Sequence, residues 1–184
     1  SKVVAIGGAT QEESFEIQIK VRLDDPAQVA VKLDSEQLEI VRRAHYHEYD
    51  TYFSFPDPAQ GRLRYREDEF LNEAGEVSNV RSRLTHIGVA KEHEYANSIL
   101  LSRSRFIAHA VHSLRFYREY FKPLHELEIE KDRRRWLVNY QAEEIFVNLD
   151  RMIKPEMGDY FLEIKSRTWS RGDAEKKTRL VMEL

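Results

Sequence analysis

The sequence predicts an α+β domain made mostly of antiparallel strands, and three observations carry that prediction. Residues Phe15 to Leu23 alternate apolar and polar side chains without a fault. Shorter alternating stretches recur along the chain, divided by Pro, Gly, Asn and Asp. The segment Ser104 to Phe121 instead spaces its apolar residues three or four apart. A period of two marks a half-buried strand, and a period of about 3.6 marks a helix.

The elements follow in order. In the first strand Phe15, Ile17, Ile19, Val21 and Leu23 share one face, and Glu16, Gln18, Lys20 and Arg22 share the other. Asp24-Asp25-Pro26 ends it, and Ser35 is expected to cap a short helix carrying Leu38 and Val41. Tyr46 to Phe53 reads as an aromatic-rich strand closed by Pro56 and Pro58. Arg62 to Arg66 alternates again, Asn72 to Gly75 supplies turn chemistry, and Val77 to Thr85 returns as the second arm of a hairpin. Glu92 to Ile99 is a further strand. Ser104 to Phe121 is the main helix, with Ile107, Val111, Leu114 and Tyr117 on its core face and Pro123 beyond its end. Strands near Leu127 to Val138, Glu144 to Asp150 and Tyr160 to Lys165 precede a last helix, for which Ser170 and Asp173 have capping-box spacing. The sum is about eight strands and three helices.

A chain of 184 residues suits a single domain, 1–184, and its end inside a periodic segment points to a piece excised from a longer chain. Charged residues make up 33%, above the ordinary ~25%. The net charge of −3 sets 29 Lys and Arg against 32 Asp and Glu, a balance that argues against a binder of duplex nucleic acid. There is no cysteine, which excludes disulfides and thiolate chemistry. No apolar run approaches the ~18 residues of a membrane span and no secretory signal precedes the fold, so the expected location is the cytoplasm, away from membranes.

The charges carry the functional signal because they fall in rows. Arg62, Arg64 and Arg66 share a strand face, as do Arg81 and Arg83, Glu92 and Glu94, Lys131, Arg133 and Arg135, and Glu163, Lys165 and Arg167. Such rows are either ordinary solvated faces or the charged interior of a barrel whose apolar side is covered by helices. An interior of that kind needs interleaved carboxylates and cations, and a bound polyanion with a divalent metal would complete the balance. Arg suits bidentate phosphate recognition, and Glu suits Mg²⁺ or Mn²⁺. The seven histidines show no metal-ligand spacing of their own.

These residues resemble the CYTH domain, or triphosphate tunnel metalloenzyme, family. The opening Glu16-Ile-Gln-Ile-Lys20, Asp50-Thr51-Tyr52-Phe53, Leu63-Arg64-Tyr65-Arg66 and Arg83-Leu84-Thr85 resemble its motifs in order. So do Glu92-His93-Glu94, Lys131-Asp132-Arg133, Leu149-Asp150 with Gly158, and Phe161-Leu-Glu-Ile-Lys165. The resemblance implies an eight-stranded antiparallel β-barrel, a tunnel, with flanking helices. Lys20, Arg64, Arg66, Arg81, Arg83, Lys131 and Arg133 would then bind phosphate. Glu16, Glu92, Glu94 and Glu163 would hold Mg²⁺ or Mn²⁺. Asp150 reads as a further ligand or a structural acceptor, and Lys20, Glu16 and Glu163 would serve catalysis.

The function implied is metal-dependent hydrolysis of inorganic tri- or polyphosphate, or of another triphosphate-bearing substrate. A non-catalytic polyphosphate- or nucleotide-binding module regulating a fused catalytic domain is the rival. Adenylate cyclisation ranks below both, because nothing in the sequence marks a ribose or adenine pocket. Three departures bear on the choice. Gln18 and Lys165 stand where the family motifs carry Glu, and Ile87 stands where a Lys is usual. Fewer carboxylates and an added cation imply a weakened metal site, while the basic rows remain.

Overall fold

The computed structural model describes residues 15–35, 38–88, 93–95, 99–102, 105–168 and 171–184. Ten strands form one antiparallel sheet: β1 (Phe15–Leu23), β2 (Glu39–Ser54), β3 (Arg62–Leu71), β4 (Val77–Ile87), β5 (His93–Tyr95), β6 (Ile99–Ser102), β7 (Arg105–His109), β8 (His125–Tyr140), β9 (Glu143–Lys154) and β10 (Tyr160–Thr168). Their order is β5-β6-β1-β10-β9-β8-β2-β3-β4-β7. The expectation of α+β and antiparallel pairing holds, and the described residues form ten strands where about eight were expected. The sheet is also not closed into a barrel among the described residues. It does curl, since side chains of β1 and β10 line one cavity with side chains of β3 and β4.

Three helices, α1 (Pro26–Leu33), α2 (Leu114–Phe121) and α3 (Arg171–Glu183), cover apolar residues on the outer face. Leu33 of α1 and Leu180 and Val181 of α3 pack with Trp136, Val138, Ile145, Val147 and Leu149 of β8 and β9. Tyr117 of α2 packs with Phe53, Leu63 and Tyr65. Burial of such side chains stabilises by roughly 1.5–3 kcal/mol each and clamps the strands whose other face is charged. Gly61, at φ +70, precedes β3, and a Cβ there would collide with the Ile87 carbonyl oxygen. This close approach seats β3 against the end of β4.

Two sequence expectations are corrected. The first short helix is α1, capped by Asp25, whose carboxylate accepts from the Ala27 and Gln28 N–H groups, with Pro26 in the first turn. Asp-Pro is therefore a helix start as well as a strand stop. Ser35 lies at the far end of that helix, and Val41 belongs to β2. The main helix is also shorter than its periodicity implied. Residues 105–109 form β7 along the edge of β4, and α2 begins only after Ser113, whose hydroxyl accepts from the Phe116 N–H. An unpaired strand edge offers backbone partners that a local helical pattern cannot outbid. Ile107 consequently faces the cavity and Val111 is exposed, so neither belongs to a helix core. No helix among the described residues is long and apolar enough to cross a membrane.

Candidate polyanion site on the inner face

Strand pairing decides which charged rows meet. In register, Lys20 lies beside Glu163, and Glu163 beside Asn148; Asn148 in turn lies beside Arg135. On the other side Glu48 lies between Lys131 and Asp68, and Asp50 lies beside Arg66, which lies beside Arg83. All these side chains point to the face opposite the helices. The concave side of the sheet is therefore mainly polar, in two neighbouring zones, with Ile107 and Phe146 among the apolar residues on it.

The first zone is a buried ion-pair network. Glu48 is fully buried, with Lys131 Nζ at 2.8 Å, Arg66 Nη2 at 2.9 Å and Arg133 Nη1 at 3.5 Å. Arg66 donates two hydrogen bonds to Asp50, each 2.6 Å. Arg133 does the same to Asp150, at 2.6 Å for both, and reaches Glu163 Oε1 at 3.4 Å. Such pairs persist in a dry interior only when each charge is compensated and hydrogen-bonded. Burial alone would push the Glu48 carboxyl up, but Arg133, Arg66 and Lys131 outweigh it and hold the group well below the usual carboxylate range. Burial likewise opposes ionisation of Glu163, and Arg133, Lys165 and Lys131 reverse it.

The second zone is a cavity of about 70 Å³, lined by Arg64, Arg66, Arg83, Arg135, Lys165 and Arg167, with Glu16 as its one carboxylate among the described residues. Several of these cations lean on neutral partners. Arg64 donates to Thr85 at 3.4 Å, and Arg135 donates to Asn148 at 2.7 Å. Arg135 also lies 5.0 Å from the Phe146 ring centroid. The Nε–H groups of Arg64 and Arg83 have no hydrogen-bond partner among the described residues. Burial pushes the Lys165 ammonium down to about 8, with Glu16 and Glu163 working against that fall. Arg83 and Arg135 are lowered too, burial being the main cause, with neighbouring guanidiniums adding to it.

The residues singled out from sequence divide between these zones. Arg64, Arg66, Arg83 and Glu16 line the cavity, while Lys131, Arg133, Asp150 and Glu163 build the network beside it. Arg81 joins Arg83 on Asp68, each at 2.9 Å, and lies over the Phe70 ring. Lys20 is exposed, with its ammonium 4.9 Å from the Phe161 ring centroid, and does not line the cavity. Glu92, and the side chain of Glu94, lie outside the described residues. Among the described residues no three His, Asp or Glu side chains converge as a metal site needs. Both Asp150 oxygens are taken by Arg133, and Glu163 Oε1 accepts from Asn148 at 2.8 Å and faces Lys165 at 3.8 Å. The described donor set does not fit Mg²⁺ or Mn²⁺.

Arg135 and Arg167 are cavity residues that motif matching left out, although the alternation of β8 and β10 already put them on the right face; Lys165 entered the closing motif only as a departure from Glu, and it lines the cavity as well. Glu48 left a fainter signal, a lone carboxylate two residues from Asp50 in an aromatic strand. A larger cavity, about 420 Å³, lies on the outer face against α1, lined by Pro26, Ala30, Asp132, Arg134, Leu149 and Tyr160 among others. It contains none of the rows that point to phosphate. The nearby His45 and His47 both approach Asp132, at 2.6 and 3.4 Å.

Comparison with known proteins agrees with this architecture. The family model for the CYTH domain matches residues 14–181. Among solved structures, the PH1819 protein of Pyrococcus horikoshii superposes with a TM-score of 0.59 at 18% identity, over 91% of this chain and 89% of its own. The Mediator head module of Schizosaccharomyces pombe gives 0.59 at 11% identity, over 94% and 90%. A Vibrio parahaemolyticus protein named as a candidate adenylate cyclase gives 0.50 at 16%, over 90% and 84%. Among curated proteins none matches the chain significantly.

Proposed function

The chain belongs to the CYTH domain family, and on that premise we propose that its inner face captures a tri- or polyphosphate group. The observation that carries this reading is the cavity itself, where six cationic side chains from opposite arms of the curled sheet line a space that holds one carboxylate among the described residues. Arg64 and Arg135, which donate to the neutral Thr85 and Asn148, raise the free energy of the empty site, and an anion with several charges spread along a chain relieves it at several points together. Arg64, Arg83 and Arg135 offer forked donors to phosphate oxygens, and Lys165 offers a compact charge. Isothermal titration calorimetry with inorganic triphosphate, and with monophosphate and sulfate as comparators, tests the idea. Triphosphate is expected to bind at least about tenfold more tightly than monophosphate, since each additional charge-assisted contact contributes ~1.5 kcal/mol or more. Equal or undetectable binding of all three would remove the proposal.

Hydrolysis of the captured anhydride is the second reading. The family is generally metal-dependent, and Glu16 lines the cavity with Glu163 a short step away. Phosphoryl transfer requires chiefly positioning and charge neutralisation, and the Arg rows supply both. Phosphate release from inorganic triphosphate with Mg²⁺, with Mn²⁺ and with EDTA measures it directly. Metal-dependent release that Glu163→Gln abolishes supports hydrolysis, whereas binding without release leaves a capture role, such as regulation of a fused catalytic domain.

A further inference from the structure

We infer that the Lys165 ammonium is the resident cation of this site, so that the polyphosphate is held without a divalent metal. The inference rests on the capture reading above and adds to it what accompanies the anion. The Lys165 side chain is only 14% exposed, and its Nζ lies 3.8 Å from Glu163 Oε1. It lines the same cavity as Glu16. The carboxylates that a metal would need on β1 and β10 thus already face a positive charge. On β1 the position paired with Lys165 is Gln18, a neutral amide.

The other described carboxylates of the inner face are consistent with this arrangement. Asp50, Asp68 and Asp150 each accept from an arginine, and Glu48 is surrounded by Arg66, Lys131 and Arg133. A divalent ion binding at Asp50, Asp150 or Glu48 would have to displace a guanidinium or an ammonium from its carboxylate, with the charge repulsion of the remaining cations against it. An anion meets less competition at Arg64 and Arg135, which line the cavity and donate to the neutral Thr85 and Asn148. A primary ammonium also presents three donors, enough to hold Glu163 and a phosphate oxygen at once. The ion pair and the ligand contact are therefore compatible in one geometry.

The test is calorimetric titration of the full chain with inorganic triphosphate in EDTA and again in excess Mg²⁺ or Mn²⁺, with Lys165→Met and Lys165→Glu beside it. The unsubstituted chain is expected to bind equally well in EDTA and in metal. Lys165→Met, which removes a buried charge and keeps a flexible stem, is expected to lose about 10- to 100-fold in EDTA, the range for one charged hydrogen bond. Lys165→Glu is expected to bind in EDTA still more weakly and to regain affinity when Mn²⁺ is added, a switch that electron paramagnetic resonance of Mn²⁺ reads independently. Thermal melting of both variants confirms that they fold. Triphosphate binding that requires metal in the unsubstituted chain overturns the inference and leaves capture standing. Unchanged affinity of Lys165→Met in EDTA also overturns it. No binding under either condition removes the capture reading itself.

Discussion

At the scale of single residues, the molecule places Glu48 where three cations would otherwise repel one another. A buried ion pair adds little net stability compared with a well-packed apolar pair, but removing one partner leaves the others desolvated and uncompensated. Glu48→Ala strips Arg66, Lys131 and Arg133 of their shared carboxylate. The expected loss is about 3–5 kcal/mol, read as a lower urea midpoint at an unchanged slope. A loss below about 1 kcal/mol would mean that Asp50, Asp150 and Glu163 suffice to hold the network. Trp136 shows the ordinary counterpart on the outer face, buried with its indole N–H donating to Asp34 at 3.0 Å. That bond is also the main reason the Asp34 carboxyl sits below its usual value.

At the scale of elements, helices and sheet have separate duties. α1 and α3 seal the apolar side of β8, β9 and β10, and α2 seals that of β3. Leu180→Ala in α3 removes a buried side chain that packs beside Trp136 and Val138. It is expected to cost about 2–5 kcal/mol in denaturant unfolding. If the inner face is positioned by the sheet ladder, the triphosphate affinity of the still-folded variant should be unchanged, and a parallel loss of affinity would show that α3 helps to shape the cavity. The elements also show what local pattern cannot arbitrate. Apolar residues at 107 and 111 fit a helix on spacing alone, yet Arg105 and Phe106 pair with Ile87 and His86 across a strand edge. The hairpin of β3 and β4 was legible because its turn is local, with the Asn72 side chain accepting from the Glu76 N–H at 2.9 Å and Gly75 at φ +80.

At the scale of the whole molecule, the inner face couples folding to protonation. Glu48 and Glu163 titrate lower in the folded protein than free carboxylates do, after their cationic neighbours have overcome burial. A depressed folded value means that the stabilisation is present above the unfolded value, near 4.3, and is lost as pH falls through that range toward the folded value. The melting temperature is therefore expected to hold from pH 7 to about 5 and then fall steeply toward pH 3. Bound triphosphate should raise it at pH 7 by mass action. A melting temperature flat down to pH 3 would show that the network contributes nothing to stability. The sequence by itself determined the alternation of the strands, the sorting of Arg, Lys and Glu onto one face, and the family, since period-two patterning and short motifs are properties of neighbours along the chain. Tertiary structure alone decided that residues 105–109 join the sheet, that Glu48 anchors the network, and that Lys165 lines the cavity with Glu16 while facing Glu163. Those outcomes depend on register and curvature across strands far apart in sequence, where the free energy of a charge is set by which partners the fold brings to it.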